Sequence, residues 1–300
     1  MKNIKIYTFL IALLAFSWTF TSCGSSQEDT STINIPNEDV ECCDENQEYK
    51  TASYLHSLKE LATYESNQSI GYNDLYYAIE KISNGKHVKD FNISEITPIM
   101  TMGSMNNMQH STPIGNIEKI EGVPVYHSWI SFLMSTNTGS NNTWNLSFNY
   151  QIRDSVGTIG NKPLYVKALS SGLSNLKSFK YNGNTYFLSL VNPNNFVTGV
   201  NTIKAYISKK SSVITTPYAL ASEQFIVAIT PTMPDMGNHT SPNNEALTLN
   251  TDSTYTGKIN LTMTGVWNIH LVVKTPDGTV IAGGDNDDSG YSNLYWTVNI

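Results

Sequence analysis

The chain has 300 residues, of which 14% are charged and 11% aromatic, with 17 tyrosines and a formal net charge of −7. An acidic balance of this kind supplies no basic face for a polynucleotide. The scarcity of charge among abundant Asn, Ser, Thr and Tyr is instead a vocabulary of strands and turns.

At the N-terminus, Lys2 and Lys5 precede an apolar run over residues 7–20 that is too short to span a bilayer comfortably. It ends in Phe20-Thr21-Ser22-Cys23-Gly24, which resembles a bacterial lipobox with Phe20 in place of the usual Leu. The resemblance implies a signal peptide over residues 1–22 and acylation of Cys23. With Gly24 following the cysteine, it also implies an outer-membrane lipoprotein facing the periplasm or the cell surface. Residues 23–48 mix Ser and Thr with Asp and Glu and hold little that could build a core, so they read as a flexible tether. Cys42 and Cys43 at its end are adjacent and have no CxxC partner elsewhere. They are either a surface pair or a thiolate site, and a bridge between them would close a strained ring.

About 250 residues follow the tether, enough for two domains with cores of their own. Residues 49–64 are the only stretch with a helical pattern, although the equivalent place in the second half reads as a strand. From there the chain is duplicated. Gly71-Tyr72-Asn73-Asp74-Leu75 matches Gly199-Val200-Asn201-Thr202-Ile203 at an offset of 128, and His110 matches His239 at 129. Met134 matches Met263 at 129, and Trp144-Asn145-Leu146 matches Trp267-Asn268-Ile269 at 123. Offsets so nearly constant over four landmarks imply two copies of one unit, over residues 49–170 and 171–300. The period is too long for a solenoid.

The second copy shows its strands most plainly. An apolar run over 185–191 ends at the turn Asn192-Pro193-Asn194-Asn195. Ile203, Ala205 and Ile207 then share one face, as do Ile259, Leu261 and Met263, and Trp267, Ile269, Leu271 and Val273. A strand over 224–230 and a last one over 293–300 complete the set. Short strands separated by turns predict an all-β fold of two tandem sandwiches.

Two stretches hold every methionine but the first: Met100, Met102, Met105, Met108 and Met134, then Met233, Met236 and Met263. Each surrounds a histidine, His110 or His239, and each follows the same tripeptide, Ile96-Thr97-Pro98 or Ile229-Thr230-Pro231. Methionine is an adaptable core filler, yet here it gathers in segments that read as polar loops. Thioether sulfur and imidazole nitrogen form the soft ligand set that suits copper, whereas hard cations prefer oxygen. The loops therefore either bind copper, with Met233, Met236, His239 and Met263 closing one site, or plug the open ends of the sandwiches.

The segment Pro231-Thr232-Met233-Pro234-Asp235-Met236-Gly237-Asn238-His239, with Tyr255-x-Gly257 and Met263-Thr264-Gly265-Val266-Trp267, resembles the YtkA-like domain family, related to FixH. The likeness runs over about residues 181–300. The first copy, with Pro98-Ile99-Met100-Thr101-Met102 and His110-Ser111-Thr112-Pro113, is a more divergent match that has Tyr126-His127-Ser128 in place of the Tyr-x-Gly step. The resemblance implies immunoglobulin-like sandwiches in an exported bacterial protein, with a loose association with copper.

Asp285-Asn286-Asp287-Asp288-Ser289-Gly290 fits the first half of a calcium loop, but Trp296 stands where the bidentate Glu belongs, so an acidic hairpin is expected. His127 and His270 have no counterpart in the other copy, and His56 and His87 have no evident partner; all four read as structural or surface histidines. Nucleophile elbows, zinc-protease motifs and phosphate-binding glycine loops are missing, which predicts a protein that is not an enzyme. The expected function is copper delivery or buffering from a lipid anchor, with a copper-handling or cell-surface partner. The alternative is a cell-surface module that binds a protein or glycan without metal.

Overall fold

Period-two alternation of buried and less buried side chains marks strands such as Asn142–Ile152, Gly199–Lys210 and Tyr255–Leu261. The computed structural model describes residues 49–55, 68–81, 88–211 and 218–300, and over these the only helical elements are four single turns of 3-10 helix. The leader with Cys23, the tether with Cys42 and Cys43, and His56 and His87 lie outside the described residues.

The first half of the chain forms two antiparallel four-stranded sheets. One runs Tyr49–Leu55, Gly71–Lys81, Tyr126–Phe132, Glu118–Lys119 across its width. The other runs Met108–His110, Asn92–Met102, Asn142–Ile152, Ser155–Leu164. Leu75, Tyr77, Ile130 and Phe132 from the first sheet meet Met100, Trp144, Leu146 and Phe148 from the second in one buried cluster. The helix expected over 49–64 is not formed over 49–55. These residues pair rung for rung with 75–81, from Tyr49 opposite Lys81 to Leu55 opposite Leu75. A neighbouring strand edge with a full row of backbone partners outweighs a weak local helical preference.

In the second half one sheet of eleven strands wraps nearly closed round its own core. Its ladder passes from Gly199–Lys210 through Tyr255–Leu261 and the bulged strand Glu245–Leu249 to Ile226–Met233 and Val266–Lys274. The expected one-sided runs are there, except that one of them stops short of Met263. Ile203, Ala205 and Ile207 are buried, and so are Ile259, Leu261, Trp267, Ile269, Leu271 and Val273. Met263 lies just past its strand and only half-buried. The fold is all-β, with sheets packed face to face. All members of the first cluster lie between Leu75 and Val166, and all members of the second between Phe179 and Val298.

Local geometry recurs between the halves. Asn73 donates to the carbonyls of Ser69 and Gly71 and accepts from the Ser69 N–H; Asn201 does the same with Val197 and Gly199. Thr112 donates to the Ser131 carbonyl, and Ser241 to that of Asn260. Trp144 Nε1 donates to the Met134 carbonyl at 2.9 Å, and Trp267 Nε1 to that of Met263 at 2.9 Å.

The described residues belong to one compact unit, and the two cores touch. Ser131 Oγ and Ser189 Oγ are 2.6 Å apart and both buried. Trp129 stacks on Tyr206 with ring centres 4.3 Å apart, and Tyr72 lies against the same ring at 5.9 Å. Trp129 needs Gly115 beneath it, since a Cβ there would fall 2.1 Å from its indole nitrogen.

Candidate functional site

The methionine-rich segments are hairpins, and their strands run further than the sequence suggests. The strand Asn92–Met102 passes through Pro98 before turning at Gly103–Met105 and returning as Met108–His110. The strand Ile226–Met233 likewise passes through Pro231, turns at Pro234–Met236 and returns as His239–Thr240. Each proline falls where its strand is registered with one neighbour only, so the missing N–H breaks no ladder on the other side. Both five-residue loops close on two successive residues in the left-handed region, Asn106 and Asn107 (φ 55° and 57°) and Gly237 and Asn238 (φ 64° and 60°). Asn and Gly are the residues that accept that conformation at least cost.

The stems differ in length. In the second hairpin Met233 faces His239 directly below the loop. In the first, the rung below the loop is Met102 opposite Met108, and Met100 faces His110 two rungs further down. Side chains opposite one another on antiparallel strands share a face, and so do residues two apart along a strand. Met100, Met102, Met108 and His110 therefore occupy one face of one hairpin as two adjacent pairs. The register thus puts three sulfurs and an imidazole on one face of the first hairpin.

His110 is oriented within this group. Its Nδ1 lies 2.9 Å from the Ser111 carbonyl, which can only accept, so in the neutral ring Nδ1 carries the proton and Nε2 the lone pair. Nε2 is buried and has no hydrogen-bond partner. The ring meets Trp144 edge to face at 5.5 Å, and Trp144 is itself registered opposite Met100. A histidine held through one nitrogen, with the other presented bare, is the arrangement metal-ligating histidines adopt.

The ten expected ligands are not equivalent. Met100, Met102 and Met233 are buried strand residues, a correction to their placement in loops. Met105, Met108 and Met236 are exposed at the hairpin tips, and His239 is exposed as well. In the second hairpin Met233 and His239 form one cross-strand pair, with Met236 in the loop between them. Met134 and Met263 use their carbonyls to receive the tryptophan N–H groups. Among the described residues no group of three or more His, Cys, Asp or Glu is placed to hold a metal ion.

The other sequence candidates have structural roles. Asp287 accepts from the N–H groups of Ser289 and Tyr291 within a tight hairpin, where Asn286 bridges Ser292. His270 is buried, with Nδ1 2.7 Å from the Ser292 carbonyl and Nε2 3.0 Å from Thr232 Oγ1.

A polar cluster between the cores carries no motif and was not legible in the sequence. Tyr72 OH donates to Asp74 Oδ1 at 2.5 Å, His127 Nε2 lies 2.8 Å from the same oxygen, and Asn192 Nδ2 reaches Asp74 Oδ2 at 3.3 Å. Burial alone would raise the Asp74 carboxyl, but the hydrogen bonds from His127, Tyr72 and Asn192 hold it below the usual range. Burial, and then the Asp74 charge, push the Tyr76 hydroxyl up to about 12. Burial, followed by the charges of Asp252, Asp74 and Glu118, does the same for Tyr206. Tyr72 and Asp74 are visible in the sequence only as repeat landmarks. Their partners His127 and Asn192 lie 53 and 118 positions away from Asp74, which no local pattern reports.

The fold and these sites define an all-β chain built on paired sheets, with a soft-ligand hairpin face and a polar cleft. Searches for related proteins find no matching family model and no matching curated protein.

Proposed function

We propose that this chain is an exported, non-enzymatic lipoprotein, anchored through Cys23 in the outer membrane, that binds copper for delivery or buffering. Two tandem immunoglobulin-like sandwiches, residues 49–170 and 171–300, form its body. Support for that division comes from two clusters that share no residue across position 170 and from the recurring hydrogen bonds of Asn73 and Asn201.

The observation that carries the metal reading is His110. Its Nε2 is buried without a partner, its Nδ1 is fixed on a carbonyl, and Met100, Met102 and Met108 share its face of the hairpin. Thioethers with one imidazole favour Cu(I) over hard cations. The primary site is therefore the first hairpin, and the Met233–His239 pair with Met236 is a weaker second. Competition against a chromophoric Cu(I) chelator tests this on the full chain purified in detergent. His110→Ala and Met108→Leu should each weaken binding at least tenfold, while Met105→Leu should not. Curves unchanged for both His110→Ala and Met108→Leu would exclude copper. The exposed methionines at the tips would then serve a protein-binding surface.

A further inference from the structure

A cavity of about 280 Å³ lies between the two cores, walled by residues 68–74, by 169–175 and by the segments 192–195 and 297–299. Two residues of its wall are almost wholly buried and carry side-chain oxygens with no hydrogen-bond partner: Gln68 Oε1 and Asn175 Oδ1. They come from opposite sides of the junction. Gln68 is held by parallel pairing of Gln68–Ser69 with Val166–Lys167. Asn175 is held by the bond from Leu190 N–H to its carbonyl, and its amide sits over Gly71, where a Cβ would fall 2.3 Å from Oδ1. Buried acceptors normally find donors, so two orphans in one wall call for a ligand that brings donors with it.

The rest of the wall narrows the class. Among the described residues no Lys, Arg or His lines the cavity, so nothing there would hold a phosphate or a carboxylate. Its one carboxylate, Asp74, is already engaged at both oxygens by Tyr72, His127 and Asn192, so it is not free to capture a cation. Leu169, Leu173 and Val298 supply apolar surface between the polar groups. Hydroxyl donors on an otherwise apolar ring are the chemistry of a neutral sugar. The volume lies just under the roughly 300–1,000 Å³ typical of drug-sized ligands, which suits one or two rings. Tyr72, Asp74, Asn192 and Asn195 also border a neighbouring hollow of about 550 Å³ lined by Tyr76, Phe196 and Tyr206, with room for a chain to continue over aromatic faces.

From this we infer that the junction is a carbohydrate site, which takes a neutral sugar ring through hydrogen bonds donated to Gln68 Oε1 and Asn175 Oδ1. This inference does not depend on the metal reading. Titration calorimetry and saturation-transfer NMR on the full chain, with glucose, galactose, mannose, maltose and cellobiose as probes, test it. At least one probe should bind, and Gln68→Leu and Asn175→Leu should each weaken that binding at least tenfold while leaving Cu(I) competition curves unchanged. Either variant could lose its fold, so Asn194→Trp serves as the second probe. Asn194 is exposed at the rim, and a Trp there blocks the mouth without entering a core; it should abolish binding with an unchanged melting temperature. No binding of any probe to the wild-type chain, or binding retained in all three variants, would overturn the inference. Binding of calcium chloride or sodium phosphate alone at the same residues would do so too.

Discussion

Gly257→Ala isolates a contact that the fold makes between two backbones. Gly257 stands opposite the bulge in Glu245–Leu249, where the register jumps from Glu245–Lys258 to Thr248–Thr256. A Cβ at this position would lie 2.5 Å from the Glu245 carbonyl oxygen and 2.9 Å from backbone atoms of Ala246, against 3.4–4 Å for ordinary contact. No side-chain rotation can relieve such a clash, so the two strands must separate at the seam that joins the halves of the wrapped sheet. Overpacking of this severity costs about 1–3 kcal/mol. Each kcal/mol lowers Tm by roughly 2–8 °C for domains of this size. Thermal denaturation followed by near-UV circular dichroism reads the shift. Gly160→Ala is the control, because the nearest atom to its Cβ is Ser147 Oγ at 3.9 Å, and it should melt at or slightly above the wild type. If Gly257→Ala and Gly160→Ala melt together, the bulged seam is not where the structure puts it.

Three further outcomes follow from the geometry. Asp74 has a folded pKa below its ordinary value, so its ionised network stabilises the fold above the ordinary carboxylate range and is lost as pH falls through the lower folded value. The stability difference between wild type and Asp74→Asn should therefore be steady near neutrality and shrink on acidification; a difference that grows in acid would contradict the hydrogen-bond assignment. Met100→Ala opens a cavity against Trp144 and should cost about 2–5 kcal/mol, whereas exposed Met236→Ala should stay within about 0.5 kcal/mol, as measured by urea denaturation. Residues 172–300 expressed alone should unfold cooperatively, because every member of the second cluster lies within them; a non-cooperative transition would show that the cores depend on one another.

The sequence carried the one-sided strands because one face of each is buried and the period is two: Trp267, Ile269, Leu271 and Val273 need only be counted. It misplaced the methionines because proline normally ends a strand. Counted through Pro98, however, the buried positions Pro98, Met100 and Met102 keep the alternation. Earlier in that strand the alternation breaks between Ile93 and Ile96, where the register shifts and Glu95 takes a φ of 53°. The Tyr-x-Gly step had a reason that only pairing reveals. Gly257 faces a bulge, whereas Ser128 in the first half is registered with Leu75 on one side only and bonds the Tyr77 hydroxyl at 3.0 Å. The bare nitrogen of His110 depends on how many rungs the hairpin has, and the cavity at the junction on segments more than a hundred residues apart. Neither leaves a periodic trace.

The two hairpins also show how such a stem can change length. From Met100 to His110 is ten residues and from Met233 to His239 six, yet both loops have five. All four extra residues are in the stem, two on each strand. Adding one residue to each strand would have turned the side chains beyond it to the opposite face. Length in such a hairpin is thus quantised in steps of four if its chemistry is to stay on one side. The smallest permitted step is also the one that places a second row of sulfur beside the first.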